Sequence, residues 1–222
     1  MVDTHPRMAD FYFIRHAPVV KQSGHLPPHD PDIADGPYAL DPLIALLPEN
    51  ADWHISPLRR TQQTAALLTP GLAPHSQNLE SRLVEMAFGK WDDQPVADVW
   101  AELANGPKHN WSFLTPEMTP PGGESYADLC VRVSEWLDHI VATLFTQPHQ
   151  MPPQIVVSHS GVLRAVMRHV MQTTPEFTIG IPITHFGCLH LSLMEPDRAI
   201  DAGGAWQLNA LYPHNVSAPT GA

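Results

Sequence analysis

The chain has 222 residues, of which 43% are hydrophobic and 16% are charged, a composition typical of a globular protein and not of a disordered or membrane-embedded one. Its 12 Lys and Arg residues are outnumbered by 23 Asp and Glu residues. The resulting formal net charge of −11 disfavours binding to nucleic acid or to anionic membranes. We expect a single domain over residues 1–222.

The cysteine content and the hydropathy pattern bear on the compartment. Cys130 and Cys188 lack C-x-x-C spacing, which argues against a disulfide framework and against a thiolate zinc site. Residues 1–10 contain no apolar targeting segment, and no later stretch is apolar for long enough to span a bilayer. We therefore predict a cytoplasmic protein. The oligomeric state does not follow from the sequence, so a homodimer is left open.

The first half of the chain alternates between strand-like and helix-like segments. A short aromatic and β-branched run predicts the first strand, which leads directly into Arg15 and His16. Residues 21–38 are rich in Pro, His, Asp and Gly, which predicts a long surface loop. The elements predicted in this half are a strand at 11–14, a helix over 40–47, a strand at 52–55, a helix from Pro57 to Pro70 with Ser56 as its N-cap, and an edge strand at 74–79.

The second half continues the alternation and contains the longest amphipathic pattern. The elements predicted here are helices over 95–103 and 125–144, a strand at 154–157, a helix over 161–171, and a closing hairpin of strands at 186–193 and 205–211. Such an alternation of strands and helices is typical of an α/β fold.

Charged and imidazole side chains stand where the predicted strands end, which is where open α/β sheets build their sites. Arg15 and His16 follow the first strand, and Arg60 lies in the segment after the second. His159 follows a later strand, and Glu85 stands in a separate segment that is rich in aromatic residues. Guanidinium groups suit the spread negative charge of a phosphoryl group, so this set indicates phosphate chemistry.

The sequence motifs in these segments resemble those of the histidine phosphatase (phosphoglycerate mutase-like) superfamily. The family patterns occur here as Arg15-His16-Ala17 for R-H-G, Ser56 to Ala65 for S-P-L-x-R-x-x-Q-T-A, Glu85 to Trp91 for E-x-x-F-G-x-W, and Ser158 to Arg164 for S-H-x-G-x-L-R. Together with Pro-Gly-Gly-Glu-Ser at 121–125, the wording is most similar to small bacterial phosphatases that include α-ribazole phosphatases. Four motifs in the family order are hard to obtain by chance.

The resemblance implies a three-layer α/β/α sandwich with a mostly parallel central sheet, and a phosphatase that needs no metal and no other cofactor. His16 would be the nucleophile, with its second ring nitrogen donating to a backbone carbonyl. Arg15, Arg60 and His159 would bind the phosphoryl group of a small phosphorylated substrate. Glu85 would act as general acid and then as general base, which requires a partly desolvated pocket.

Two further positions are expected to contact the substrate. Ser160 directly follows His159, and Gln22 stands where many relatives carry a phosphate-binding asparagine. Ala17 and Pro18 replace the family's common glycine and glutamate, which stiffens the backbone after His16. α-Ribazole 5′-phosphate is the substrate suggested by the motif wording, and sugar phosphates, nucleotides and phosphohistidine proteins stay open.

Alternative interpretations concern both the activity and individual residues. A phosphoglycerate mutase-type phosphotransferase and a low-turnover phosphate-ester-binding or regulatory module are the competing functions. Core packing is the expected role of Trp91, Trp100 and Trp111. A solvated or structural role is expected for Arg59 and Arg164. Several histidines have no zinc-like spacing, namely His5, His25, His29, His54, His75 and His109, although His25 and His29 could approach a substrate from the long loop.

Overall fold

A computed structural model describes residues 7–146, 151–199 and 204–214. Six strands form one sheet in the order β3-β2-β4-β1-β5-β6. The strands are β1 Met8–Arg15, β2 Asp52–Ile55, β3 Ser76–Leu79, β4 Gln154–Ser158, β5 Cys188–Met194 and β6 Trp206–Tyr212. The α-helices of the described residues are α1 Asp41–Leu46, α2 Arg59–Leu68, α3 Val96–Glu102, α4 Tyr126–Leu144, α5 Ser160–Val170 and α6 Pro175–Ile179.

The sheet is parallel in its larger part. β4 lies between β1 and β2 and pairs with both in parallel, and β3 extends the parallel part at one edge. β5 pairs antiparallel with β1, and β6 closes the other edge as the antiparallel partner of β5. All five residues of β4 are buried, as expected for a central parallel strand that is covered on both faces. The mostly parallel sheet and the closing hairpin were both predicted correctly.

Alternate residues of the central strands divide the core into two clusters. Phe13 on β1 and Val156 on β4 belong to one cluster, in which the buried residues of α4 and α5 also lie. Ile14 and Val157, the next residues along these strands, belong to the other cluster, together with buried residues of α1 and α2. Because side chains alternate across a strand, the two clusters occupy opposite faces of the sheet. The three-layer α/β/α architecture is therefore confirmed.

The long helix α4 follows from its sequence. Ser125 is its N-cap and accepts a hydrogen bond from the backbone N–H of Asp128 at 3.0 Å, and the Asp128 carboxylate accepts in return from the backbone N–H of Ser125. This capping box satisfies two donors at the helix start. The buried residues Leu129, Val133 and Leu137 recur every four positions and bind the helix to the core.

Several predicted boundaries differ from the structure by one to three residues, and one α-helix was missed. α2 begins at Arg59 after an N-cap at Leu58, not at Pro57, because the carbonyl of Ser56 is engaged by the Thr61 hydroxyl at 2.7 Å. β5 begins at Cys188 because Phe186 has a φ of +57°, which ends an extended strand. α6 was missed because its five residues are too few to show a helical period. None of the helices in the described residues has the length and apolarity that crossing a bilayer requires.

Candidate active site

The pairing of the strands brings distant residues to one edge of the sheet. His16 follows β1 and His159 follows β4, and the ends of these strands are in register because Arg15 pairs with Ser158. Ser56 follows β2, whose last residue pairs with Val157. Because parallel strands end at the same edge, all three loops converge there. The structure thus brings His16, His159 and the segment that begins at Ser56 to the same edge of the sheet, and their role as a site stays a prediction.

His16 is buried and held by its own backbone. Its Nδ1 lies 2.6 Å from the carbonyl oxygen of Ala17, and the backbone N–H of Ala17 donates to the Thr64 hydroxyl at 2.9 Å. Burial lowers the pKa of His16 to about 2, and the nearby guanidinium groups of Arg60 and Arg15 act in the same direction. The imidazole is therefore neutral, Nδ1–H is the donor to Ala17, and Nε2 carries the lone pair. The predicted backbone partner is present.

Arg15 and Arg60 are both brought to His16. Arg15 Nη1 donates to the carbonyl of Ile183 at 2.5 Å, and burial lowers the Arg15 pKa to about 10. Within the described residues, the buried Nε of Arg15 finds no acceptor. Arg60 is 7% exposed and its Nη1 donates to the carbonyl of His29 at 3.0 Å. Burial lowers the Arg60 pKa as well, yet both guanidinium groups stay charged near neutral pH.

His159 is fully buried and contacts protein groups through both ring nitrogens. Its Nδ1 accepts from Arg60 Nε at 3.3 Å, so Nε2 carries the proton and faces Ser56 Oγ at 2.9 Å. Burial, followed by the charge of Arg60, lowers the pKa of His159 far below its usual value, so the ring is neutral. His159 thus contacts Arg60 and Ser56 and does not line the cavity described below, and its direct donation to substrate stays a prediction.

Glu85 lies against the start of α5. One carboxylate oxygen accepts from the backbone N–H of Gly161 at 3.2 Å and faces the Ser160 hydroxyl at 3.4 Å, and the other accepts from the backbone N–H of Met86 at 3.1 Å. A Cβ atom on residue 161 would lie 2.2 Å from Glu85 Oε1, so only glycine permits this approach. The two motifs that contain Glu85 and Gly161 therefore meet in space.

These groups surround a hollow of about 250 Å³, the His16 cavity. Its walls are formed by Arg15, His16, Val19, Lys21, Pro27, Pro28, His29, Leu58, Arg60, Glu85, Met86, Phe88, Asp92, Ser160 and His185. His29 approaches from the long loop, as the sequence allowed, whereas His25 does not line the cavity. Gln22 is exposed and does not line it either, because its carbonyl accepts from His25 N–H in a turn with Gly24 at φ +76°. Lys21, the preceding residue, lines the cavity instead of Gln22.

Sequence reasoning missed His185. Its ring centroid lies 5.3 Å from that of His16, and its Nδ1 lies 3.0 Å from the His16 carbonyl oxygen. Burial, followed by the charge of Arg15, lowers the His185 pKa to about 4. The sequence signal that could have identified His185 is its position just before β5. An antiparallel neighbour of β1 begins where β1 ends, but the sequence does not say which strand lies beside β1.

Comparison with known proteins gives the family. Residues 39–202 match the family model of the histidine phosphatase superfamily (branch 1), a stretch that contains Arg60, Glu85 and His159. The chain belongs to the histidine phosphatase superfamily. The family assignment made from the four motifs is thereby confirmed.

Solved structures share the fold of this histidine phosphatase superfamily member. A mycobacterial glucosyl-3-phosphoglycerate phosphatase has a TM-score of 0.73 at 18% identity, over 94% of this chain and 100% of that one. A putative α-ribazole-5′-P phosphatase from Escherichia coli has a TM-score of 0.67 at 19% identity, over 95% of this chain and 98% of that one. At these identities the similarity concerns the fold alone.

The match between this superfamily member and a curated relative covers a smaller share of the chain. The bifunctional protein of Mycobacterium tuberculosis is 32% identical over 113 residues, which are 51% of this chain and 29% of the relative. The match therefore spans under a third of the relative's length, and the activities of that whole protein do not transfer with it.

A second hollow of about 160 Å³, the aromatic chamber, adjoins the His16 cavity. Its walls are formed by Glu85, Met86, Phe88, Trp111, Ser112, Phe113, Leu114, Tyr126, Ser160, Gly161, Arg164 and Ile179. Trp91 is buried as predicted, but Trp100 and Trp111 are 45% and 79% exposed, so core packing was the wrong expectation for both. Trp100 lies on the short helix α3, and Trp111 lies in the connection between α3 and α4. Arg164 donates from Nε to the Ile181 carbonyl at 2.8 Å and also lines the chamber.

Metal-ligating side chains do not cluster within residues 7–146, 151–199 and 204–214, where no group of three or more His, Cys, Asp or Glu residues could hold an ion. His5 lies outside the described residues. Arg59, expected to be solvated or structural, is half exposed and pairs with Asp30 and Asp32, which fastens the long loop to α2.

Proposed function

We propose that the chain is a phosphomonoesterase that hydrolyses a small phosphorylated metabolite through a phosphohistidine formed on His16. The observation that carries the proposal is the state of the His16 ring. Its Nδ1 proton is committed to Ala17, its low pKa keeps it neutral, and its Nε2 lone pair is left in a cavity that also contains two arginines.

Arg15 and Arg60 are proposed to hold the phosphoryl oxygens. The buried Nε of Arg15, which has no acceptor among the described residues, would gain one from a phosphoryl oxygen. The charge of these arginines acts locally inside the cavity, so it opposes the formal charge of −11 that the whole chain carries. Charge neutralisation is thus assigned to side chains, and no metal ion takes part in the proposal.

The first step transfers the phosphoryl group to the protein. The Nε2 lone pair of His16 forms a bond to phosphorus while the bond from phosphorus to the ester oxygen breaks. The electron pair of that bond leaves with the ester oxygen, which takes a proton from the Glu85 carboxyl group and departs as an alcohol. Glu85 lines the same cavity as His16, which supports this division of roles.

The second step restores the protein. Glu85, now a carboxylate, accepts a proton from a water molecule whose oxygen attacks phosphorus. The bond between phosphorus and Nε2 breaks, its electron pair returns to the ring, and inorganic phosphate is released. Hydrogen bonds from Gly161 and Met86 fix the Glu85 carboxylate for both steps, and the contact to His159 fixes Arg60.

α-Ribazole 5′-phosphate is the first substrate candidate. The motif wording from Glu85 to Trp91 and at 121–125 supports it, as does the shared fold with the putative α-ribazole-5′-P phosphatase from Escherichia coli. A panel of phosphomonoesters that includes α-ribazole 5′-phosphate and glucosyl-3-phosphoglycerate tests the candidate, because the substrate is the ester with the highest kcat/KM.

Substitution of the nucleophile tests the mechanism. His16→Ala should lower the turnover of 4-nitrophenyl phosphate by at least about 10³-fold and leave the circular dichroism spectrum unchanged. His139→Ala, at an exposed position on α4, is the matched control and should keep its activity. With substrate labelled on phosphorus, alkaline quenching should recover label on the unchanged protein and none on His16→Ala. Full activity of His16→Ala would contradict the mechanism.

The same labelled substrate separates the competing functions. A phosphatase releases the label as inorganic phosphate, whereas a mutase-type phosphotransferase returns it to a second hydroxyl group. A phosphate-ester-binding module would bind the labelled ester and leave the label on it.

A further inference from the structure

We propose that the aromatic chamber receives the alcohol part of the substrate, and that this alcohol is a flat aromatic ring that carries a second anionic group. The inference rests on the proposed phosphomonoesterase function and names the substrate class of the same site. Three features of the chamber carry it: the wall that it shares with the His16 cavity, its size and aromatic lining, and an arginine without a carboxylate partner.

The shared wall fixes which part of the substrate lies where. Glu85 and Ser160 line both hollows, with the phosphorus-binding groups on one side and the chamber on the other. A general acid must lie beside the oxygen that joins phosphorus to the alcohol. With phosphorus at His16 and the bridging oxygen at Glu85, the alcohol carbon atoms point into the chamber.

The chamber has the size and lining for a ring. Its volume of about 160 Å³ is close to that of an engineered cavity of about 150 Å³ that binds benzene. Phe88 and Phe113 both line the chamber, and their rings are stacked with centroids 6.3 Å apart and planes 29° from parallel. Trp111 also lines the chamber while 79% exposed, a position in which an indole gains contact area when a ligand covers it.

Arg164 supplies the charge preference. Its Nε is bound to the Ile181 carbonyl, and within the described part of the chain no carboxylate lies within ion-pair distance of its guanidinium group. Arginines elsewhere do find such partners, as Arg59, Arg82 and Arg132 do. In a chain with almost twice as many acidic as basic residues, an arginine at a hollow without a carboxylate partner indicates an anionic ligand.

The other polar group of the chamber does not change this preference. Tyr126 shares a hydrogen bond of 2.9 Å with the Thr178 hydroxyl, and burial raises the pKa of its phenol. The phenol is therefore neutral at ordinary pH and adds no second negative charge beside Glu85. A carboxylate on the ring of the substrate would lie beside Arg164 in the wall of the chamber.

Three esters with matched leaving groups test the inference on the unaltered protein. Benzyl phosphate, cyclohexylmethyl phosphate and 3-carboxybenzyl phosphate are all esters of primary alcohols, so differences in kcat/KM report on the chamber. The flat benzyl ester should exceed the puckered cyclohexylmethyl ester by about threefold. The carboxylated ester should exceed the benzyl ester by about tenfold.

Arg164→Met should lower the ratio of kcat/KM for the carboxylated ester to kcat/KM for benzyl phosphate from about ten to about one. Arg168→Met is the matched control, because Arg168 lies on the same helix but does not line the chamber, and it should keep the advantage. Arg164→Lys retains a positive charge and should keep part of the advantage, which tests the charge even if the methionine variant folds poorly.

The outcomes separate the two proposals. Hydrolysis of all three esters at equal kcat/KM, or a carboxylate advantage that survives Arg164→Met, overturns the inference and leaves the phosphomonoesterase function standing. Failure to hydrolyse these esters and every other phosphomonoester of the panel overturns the function itself. α-Ribazole 5′-phosphate carries no second anion, so the inference is also overturned if this ester has the highest kcat/KM of the panel, an outcome that leaves the phosphomonoesterase function standing.

Discussion

The His16 cavity and the aromatic chamber share a wall but are built in different ways. His16, Arg15 and Arg60 of the cavity stand at or shortly after strand ends, and each is fixed by a hydrogen bond to a backbone carbonyl. The chamber is formed largely by the connection between α3 and α4, where Trp111 is exposed and Phe113 contacts other rings. Groups on a rigid scaffold hold reacting atoms, whereas loops can vary the partner that is recognised. The predictions below test this division of roles.

The largest effect is expected at the shared wall. Glu85→Gln keeps an acceptor for the N–H groups of Gly161 and Met86 but cannot carry the proton, so kcat on benzyl phosphate should fall by about 10²- to 10⁴-fold. 4-Nitrophenyl phosphate, whose leaving group needs no proton, should lose far less in its first step. Steady-state and burst kinetics on both esters measure this difference. Equal losses on the two esters would show that Glu85 is not the acid.

Substitutions of Arg60 and Arg164 should differ most in their effect on an ester whose ring carries no charge. Arg60→Met removes a donor from the phosphoryl group, so kcat/KM on benzyl phosphate should fall by about 10²- to 10³-fold. Arg164→Met should change that value by no more than about twofold, because benzyl phosphate has no group for Arg164. The division of roles fails if the two substitutions cost similar amounts.

Gly161→Ala tests how closely the wall is packed. The added Cβ would meet Glu85 Oε1 at 2.2 Å, so the carboxyl group must move, and kcat should fall by about 10²-fold. Gly106→Ala is the control, since a Cβ there meets nothing closer than 3.5 Å. Unchanged kcat in Gly161→Ala would mean that the position of Glu85 is not critical.

Burial of His16 should make folding stability depend on pH. The folded pKa is about 2, whereas an unfolded histidine has a pKa near about 6.5, so below that value the unfolded chain binds a proton that the folded chain does not. Stability is fully present above about pH 6.5 and is lost as pH falls toward about 2. Between pH 7 and pH 5 the His16 contribution to this loss is about 2 kcal/mol.

Urea denaturation of the unaltered chain and of His16→Asn at the two pH values measures the contribution. The free energy of unfolding of the variant should fall by about 2 kcal/mol less than that of the unaltered chain. Identical losses in both would show that the His16 ring is not kept neutral by the fold.

The smallest effect on the free energy of unfolding is expected for Trp111, which lines the aromatic chamber. Trp111→Ala should change the free energy of unfolding by no more than about 0.5 kcal/mol, because the indole is 79% exposed. KM for 3-carboxybenzyl phosphate should nevertheless rise by about threefold. Thermal melts and initial rates give both numbers, and a strongly destabilised variant would assign the indole to the core after all.

The sequence predicted the fold where the pattern is local. The runs that became β1 and β4 are short and largely apolar, and the capping residue Ser125 precedes a clear helical period, so these elements were found with small boundary errors. Pairing in the sheet is not local. The contact of His185 with His16, and the meeting of Gly161 with Glu85, depend on which strands are neighbours.

The aromatic chamber could not be predicted for a related reason. Trp111 and Arg164 look like a core residue and a surface residue in isolation, and only the path of the loop between α3 and α4 brings them to one hollow. The substrate contact of Gln22 was placed by resemblance in a loop whose course the sequence does not fix, and the structure puts Lys21 in the wall. Domain extent, a homodimer and a cytoplasmic location stay predictions.

The strand order also bears on how the protein emerges from the ribosome. β1 is made first, yet its neighbours in the sheet are β4 and β5, so roughly 140 further residues must be synthesised before it gains a partner. At about 5–20 residues per second this delay is on the order of ten seconds. His16, the proposed nucleophile, is therefore synthesised long before β4 and β5 can place His159 and His185 beside its ring.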